Sequence, residues 1–386
     1  MRRLCSLLGM PQNRFASIHV VGTNGKTSVV RMTAALLEAH GVSAGAYLSP
    51  HIRSWRERIL IGGEPISQQA FDAALERAEQ SAQVADRSAG EEGPVTQYEL
   101  LTAAAFLAFA EVRVQYAVVE AGLGGRLDAT NVIPSKLTVL TSVGLDHTEW
   151  LGDTLEEIAA EKLAVLRDHT ALIHGPVPEE VMPLIEQETR SHHTAAERAA
   201  GGPGYQEQNA AVAAAVVRKM IGAGRPTTTV DPSTVLGPIP GRAEVLPGTP
   251  TQVFDAAHNA DGARALADLL PRIVRGEVVC CLAVLEEKDA KGIVEALAPA
   301  VARFVCTEVP PEAIEGSGRP GGRSHSASEL ARLCGEAGVE AEAVAAPHQA
   351  WRRARELARE RDGVALAAGS HYLLSAIWTE RPDQSS

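Results

Sequence analysis

A chain of 386 residues, 45% hydrophobic and 22% charged, has the balance of a globular protein of two or three domains. Its formal net charge of −12 excludes broad electrostatic binding to nucleic acid or to an anionic membrane surface. A local cluster of cations can still hold a small anion inside such a protein.

Ser17 to Val21 is short, apolar and β-rich, and it runs into a Gly-rich segment, Gly22 to Ser28, after which Val29 to Ala39 reads as helix. Tyr98 to Ala110 is rich in Ala and Leu and predicts a further helix. Tyr116 to Glu120 reads as a strand ending at a second Gly-rich run. Leu137 to Val143 reads as a strand ending at Gly144, Leu145, Asp146 and His147. Strands alternating with helices predict an α/β fold with a mainly parallel sheet covered on both faces. Chemistry in such sheets gathers at the carboxyl ends of the strands, where all three strands carry a polar loop.

Gln206 to Met220 predicts another helix, and the Pro- and Gly-rich stretch Pro226 to Pro240 a linker. A second α/β pattern follows: a strand ending at Val253-Phe254-Asp255, a helix from Asp261 to Leu270, and strands at Val278 to Val284, Arg303 to Thr307 and Gly363 to Ala367. Gly316 to Ser326 reads as a plain surface loop. The expected domains are residues 1–240 and 241–386. Five cysteines in no metal-type spacing predict reduced thiols. No apolar run reaches the roughly 18 residues of a membrane span, and Met1 to Pro11 lacks the apolar core of an export signal. The expectation is a cytoplasmic protein.

The segment Gly22-Thr23-Asn24-Gly25-Lys26-Thr27 sits at a strand-to-helix turn. Val20 occupies the place where the generic phosphate-loop pattern has its first Gly, so that pattern fails there. What remains suits a phosphate: glycines let backbone N–H groups approach the oxygens, and the helix N-terminus favours an anion. Lys26 can neutralise β/γ-phosphate charge and Thr27 can support Mg²⁺. The plain alternative is a Gly-rich turn with an exposed lysine.

This loop resembles the ATP loop of the Mur ligase superfamily. Ser49-Pro50-His51, Glu57-Arg58-Ile59, the run Val119 to Asn131 and the run Leu145 to Gly152 resemble its folylpolyglutamate synthase/dihydrofolate synthase branch. Glu161-Lys162, Gly241-Arg242, Asp255 to Asn259 and Gly369-Ser370 follow in the family's order, so the resemblance covers nearly the whole chain. It implies a P-loop-type ATPase domain followed by a Rossmann-like α/β domain that carries glutamate ligation. The implied reaction is ATP-dependent addition of L-glutamate to dihydropteroate, to the tail of reduced folates, or to both, through an acyl phosphate. Two Mg²⁺ ions and a monomer are implied with it.

Residue by residue, the resemblance gives the nucleotide Asn24, Gly25, Lys26, Thr27, Asn209, Arg242 and Asp255. It gives Mg²⁺ to Ser49, Glu120 and His147. A carboxylate ending a buried strand is costly unless paired, and a metal at Glu120 explains it. His147, by contrast, reads from the residues alone as a satisfied loop histidine, since Mg²⁺ prefers oxygen. The family's lysine matching Lys162 is carbamylated and helps to hold a second Mg²⁺; the plain alternative is a solvated surface lysine. Arg58, His258 and Ser370 match the glutamate positions, and Lys26, Lys162 and His258 the catalytic ones. Tyr98, Glu99, Leu127, Asp128 and Ala129 match segments lining the pterin site. Asp128 has a structural alternative, capping the following turn.

Relatives of this family carry some tens of residues before the segment matching Met1, so the start here is either later or shortened. The region Arg190 to Gly204 is short where relatives form extra strands. Ala260 stands where relatives have Pro, and Thr27 where many have Gly. Two other functions fit parts of the sequence: another Mur-type ligase acting on a cell-wall precursor, and a non-catalytic ATP-binding switch.

Overall fold

The computed structural model describes residues 1–87, 93–199, 201–222, 237–316, 319 and 321–380. Residues 226–236 of the expected linker and parts of the Gly316 to Ser326 loop lie outside these. Two compact units emerge, Met1–Gly237 and Pro238–Ser386, and each stands here by itself.

In the first unit the elements in chain order are α1 (Arg2–Leu7), β1 (Ala16–Val21), α2 (Lys26–Ala39), β2 (Ala44–Tyr47), β3 (Ile59–Ile61), β4 (Glu64–Pro65), α3 (Gln68–Asp86), α4 (Gln97–Val112), β5 (Tyr116–Glu120) and β6 (Leu137–Leu140). Then come α5 (Thr148–Leu151), α6 (Leu155–Leu163), β7 (Ala171–His174), α7 (Met182–Ser191), β8 (Ala195–Arg198) and α8 (Tyr205–Ile221). Among the described residues the strands form one eight-stranded sheet, ordered β4-β3-β2-β5-β1-β6-β7-β8. Only the edge hairpins β2–β3 and β3–β4 are antiparallel.

β1 lies between β5 and β6, parallel to both. Three carboxyl ends therefore arrive side by side, about 4.8 Å apart. Side chains alternate between the sheet's faces. Ala117 and Val119 share a core with Phe106 and Phe109 of α4, whose rings lie 6.1 and 5.9 Å from that of Phe15. Each buried Val or Phe side chain here contributes about 1.5–3 kcal/mol. Glu120, one residue on, faces the other way, towards α2.

Two boundaries differ from the sequence pattern for reasons tied to the site. α2 begins at Lys26, not Val29, because Gly25 turns the chain directly into it with φ 85°. β6 stops at Leu140, not Val143, because Thr141 and Ser142 turn to bond the phosphate loop. In the short region after Arg190, the chain still forms β8, paired in parallel with β7.

The second unit runs β9 (Glu244–Leu246), β10 (Thr251–Phe254), α9 (Ala260–Ile273), β11 (Val278–Leu282), α10 (Ala290–Leu297), β12 (Arg303–Cys306), α11 (Pro311–Gly316), α12 (Ala327–Glu336), β13 (Ala341–Ala343), α13 (Pro347–Glu360), β14 (Val364–Ala368) and α14 (His371–Ala376). Its sheet among the described residues is ordered β13-β12-β11-β14-β10-β9, parallel except for β9. The five cysteines are free and buried. No helix among the described residues is long and apolar enough to cross a membrane.

Candidate active site

The loop after β1 is clamped by the chain that leaves β6. Thr141 Oγ1 and Ser142 Oγ donate to the Asn24 carbonyl at 2.6 and 3.0 Å, and Asn24 N–H donates to Ser142 Oγ at 2.9 Å. Thr23 N–H donates to the Ser142 carbonyl. Gly25 is obligatory here: beyond its positive φ, a Cβ would come within 2.5 Å of Asn209 Oδ1. That approach places Asn209 of α8 directly against the loop. Lys26 Nζ donates to the carbonyls of Gly22 and Thr23, at 2.9 and 3.1 Å. Its charge is thus held over the loop, beside the N-terminal N–H groups of α2, which also favour an anion.

Glu120 is 1% exposed. Thr27 Oγ1 donates to its Oε1 at 3.0 Å, and Ser49 N–H to its Oε2 at 3.2 Å. Carboxylate and hydroxyl oxygens of this kind are the donors a hard cation prefers, so Thr27, Ser49 and Glu120 fit Mg²⁺. His147 enters α5 in a left-handed conformation, φ 53°, with its N–H on Asp146 Oδ1 at 3.0 Å. Among the described residues no group of three or more His, Cys, Asp or Glu is gathered for a metal, so an ion beside Glu120 would complete its shell with hydroxyls, water and phosphate oxygens.

Lys162 is no surface lysine: it is 3% exposed. Burial, reinforced by the Lys26 charge and opposed by Asp146 and Asp128, lowers its pKa to about 7. The backbone above it is pinned to the Gly-rich run. Arg126 N–H donates to the Glu161 carbonyl, and Arg126 Nε pairs with Glu161 Oε1 at 2.8 Å. Gly125 permits this closeness, since a Cβ there would lie 2.7 and 2.9 Å from the carbonyls of Glu161 and Lys162.

Arg58 is 6% exposed. It stacks 4.6 Å from the Trp55 ring and donates from Nε to His51 Nδ1 at 3.0 Å. Burial and the guanidinium hold His51 neutral, its pKa lowered to about 4. No Asp or Glu among the described residues pairs with Arg58. A buried guanidinium with only a neutral partner suits an incoming carboxylate.

The residues expected at the pterin lie on the loop after β5 and at the start of α4. Asp128 Oδ2 accepts from the N–H groups of Gly122 and Leu123 at 2.9 and 3.0 Å, and Oδ1 from Thr130 N–H at 2.9 Å and from Thr130 Oγ1. These four donors make the carboxylate a brace of the loop and a cap of the turn Ala129–Val132. Glu99 is likewise used in the capping box of α4 with Thr96. Leu127, by contrast, is 92% exposed on the same loop, and Ala129 is buried. The Tyr98 hydroxyl is buried without a hydrogen-bond partner.

In the second unit, β10 and β14 are neighbours, and their carboxyl ends bring together Asp255, His258 and Ser370. Asp255 accepts from Ala243 N–H at 2.6 Å and Ala257 N–H at 2.8 Å, which fixes the backbone next to Arg242. Arg242 Nη2 lies 3.3 Å from His371 Nε2. The rings of His258 and His371 are 5.6 Å apart. His258 Nδ1 bonds the Ala256 carbonyl at 2.9 Å, and Ser370 Oγ caps α14 by accepting from Tyr372 N–H.

Sequence reasoning gave no role to Thr141, Ser142 or His371, and named Asp146 and His51 only as parts of motifs. Thr141 and Ser142 follow β6 directly and Asp146 lies in the loop beyond them, so their place at a strand's carboxyl end was the available signal. His51 and His371 act only through contacts that no spacing displays.

Residues 20–174 match the Mur ligase middle domain, and residues 241–371 the Mur ligase, glutamate ligase domain. The chain is 36% identical to a dihydrofolate synthase/folylpolyglutamate synthase of Mycobacterium tuberculosis, over 79% of this chain and 72% of that one. A crystal structure of Mycobacterium tuberculosis folylpolyglutamate synthase with ADP and AMPPCP superposes with a TM-score of 0.88 at 32% identity, covering 99% of this chain and 95% of that one. A bifunctional folylpolyglutamate synthase/dihydrofolate synthase from Yersinia pestis, complexed with AMPPNP and Mn, gives 0.82 at 25% identity, over 98% and 92% of the two chains. Agreement in sequence and in fold over this length settles the kinship: the chain belongs to the folylpolyglutamate synthase/dihydrofolate synthase family of Mur ligases.

Proposed function

We propose that the protein is an ATP-dependent ligase that joins L-glutamate to dihydropteroate, to the glutamate tail of a reduced folate, or to both. One observation carries the reading: Lys26 and Thr27 of the phosphate loop meet the buried Glu120 at the ends of adjacent strands, and the buried Lys162 of α6 is near enough to feel the charge of Lys26. A carboxylate resists attack by an amine until it is activated. Transfer of the γ-phosphoryl group from ATP to the acceptor carboxylate gives an acyl phosphate and ADP. Attack by the glutamate nitrogen on the acyl carbon then expels phosphate and releases a proton. Charge spreads over phosphoryl oxygens in the first step, so fixed cations and N–H dipoles supply most of the stabilisation.

Within this reading Lys26 steadies the transferring group, and Asn24, Gly25, Thr27 and Asn209 shape the nucleotide loop. Thr27, Ser49 and Glu120, with His147, would hold Mg²⁺, which neutralises phosphate charge when bound. Lys162 suits carbamylation: an amine with a pKa near 7 has a large neutral fraction free to add CO₂. The carbamate would turn a buried cation into an oxygen donor for a second ion. Arg58 is assigned to a substrate carboxylate. Arg242 and Asp255 are assigned to the nucleotide, and His258 and Ser370 to glutamate. The pteroyl ring is assigned to Tyr98, Glu99, Leu127, Asp128 and Ala129, with Asp128 also framing the loop. A cytoplasmic monomer is the corresponding expectation, which cell fractionation and sedimentation would test.

The test is phosphate release from ATP with Mg²⁺ and glutamate, with dihydropteroate or a reduced folate monoglutamate as acceptor. Release that needs both acceptor and glutamate is expected. Release with neither acceptor from folded, ATP-binding protein refutes the reading.

A further inference from the structure

His19 lies in the middle of β1 and is 0% exposed. It sits opposite Val119 in the sheet register and shares that residue's face. An imidazole is a costly choice in a strand this apolar, because a buried polar atom without a partner loses its hydration. Here Nδ1 is buried and has no partner. Burial, with the Arg167 charge, pushes the pKa down to about 3, so the ring stays neutral.

The other nitrogen has a defined task. His19 Nε2 lies 2.8 Å from Thr130 Oγ1. The Thr130 hydroxyl gives its single proton to Asp128 Oδ1, so it accepts from His19, and the imidazole carries its proton on Nε2. Asp128 in turn gathers the N–H groups of Gly122, Leu123 and Thr130. Beside this carboxylate lies the Tyr98 hydroxyl: a Cβ on Gly122 would meet it at 2.6 Å and Asp128 Oδ2 at 3.3 Å.

We infer that His19 is a positioning residue for the acceptor: a directed chain from His19 Nε2–H through the Thr130 hydroxyl to Asp128 presets the loop 122–130 against which the pteroyl group binds. The inference rests on the ligase reading and adds to it. His19 is three residues upstream of Gly22, so one strand then carries both the phosphate loop and the brace of the acceptor loop. A histidine that merely filled space would, when replaced, weaken ATP and acceptor binding alike.

The experiment compares wild type with His19→Leu, His19→Gln, Thr130→Val, Thr130→Ser and the double variant His19→Leu/Thr130→Val, by acceptor-dependent phosphate release. His19→Leu and Thr130→Val should each raise the acceptor KM about tenfold, while the ATP KM stays within about twofold. His19→Gln and Thr130→Ser, which keep the donors, should restore most of the loss. The double variant should be no worse than either single one, since both break one chain. Equal losses for ATP and acceptor, additive losses, or an unchanged acceptor KM would overturn the role of His19 while leaving the ligase reading intact. A wild type that releases no phosphate with either acceptor overturns the ligase reading and the positioning role together. Should the variants fail to fold, ¹⁵N-histidine NMR of the wild type decides. An Nε2–H ring that does not titrate between about pH 5 and 8 is expected, and an Nδ1–H or titrating ring overturns the chain.

Discussion

Replacing Lys162 by methionine should make the protein more stable while abolishing ligation. In the unfolded chain this ammonium holds its proton to about pH 10.5; in the folded chain burial and Lys26 make it release that proton above about pH 7. Between those values the unfolded state binds more protons, so the folded state gains stability as pH rises, by ~1.4 kcal/mol per pH unit. Below about pH 7 both states are protonated and the cost of burying the charge is at its full value. At pH 7 that cost is on the order of 4 kcal/mol. Methionine removes the charge and keeps most of the volume, so Lys162→Met should gain roughly 2–4 kcal/mol there, allowing for imperfect packing.

The assay is urea unfolding of both proteins in bicarbonate-free buffer from about pH 6 to 9. The stability gap should be constant below about pH 7 and narrow above it by ~1.4 kcal/mol per pH unit. A gap that does not change with pH, or a wild type that is the more stable at pH 7, would refute the desolvated-lysine argument. Added bicarbonate should raise the wild type alone, with a mass increase of one CO₂ in gentle ionisation.

Lys26→Ala should lower kcat/KM for ATP by at least about a thousandfold, with an unchanged circular dichroism spectrum, because the bonds its ammonium makes to carbonyls stay within its own loop. Glu120→Gln should keep the fold and shift the Mg²⁺ requirement upward by about tenfold or more, read by titrating the metal at saturating ATP. Gly125→Ala should reduce both Tm and activity, since its Cβ must displace the carbonyls of Glu161 and Lys162; a fully active alanine variant would show that α6 does not need its present place. Arg58→Ala should raise the KM for a carboxylate substrate by about a hundredfold, measured by varying glutamate and acceptor separately, and an unchanged KM for both would remove Arg58 from substrate binding.

The sequence placed the central strands well, because β1, β5 and β6 are apolar runs ending at Gly or His loops. β3 and β4 escaped it: Ile59–Ile61 and Glu64–Pro65 are too short for any periodicity. Pattern also missed β8, whose Ala195–Arg198 is mostly exposed and carries no apolar alternation. In the site, Lys26, Thr27 and Glu120 could be read from strand ends and loop chemistry. Lys162 could not: nothing in Glu161-Lys162-Leu163 shows that the Gly-rich run, five and more places before residue 131, closes over that turn of helix. The capping role that the sequence offered for Asp128 is present, but its extent was not legible, because three of its four donors are backbone N–H groups that no side-chain pattern reveals.

The parity of two strands organises the whole first unit. Val20 and Glu120 are paired in register, as are His19 and Val119. Glu120 therefore faces α2 and meets Thr27, while His19 faces α4 and meets Thr130. In the proposed reading, nucleotide chemistry belongs to one face of β1 and β5, and the acceptor loop is braced from the other. A slip of one residue would exchange the faces, burying Glu120 against the phenylalanines of α4 and moving His19 to the phosphate side. The register is held by costly polar groups that find partners in one arrangement only. Hence buried charged groups of this unit, Arg58, Glu120 and Lys162, are also ones to which the proposed reaction assigns a role.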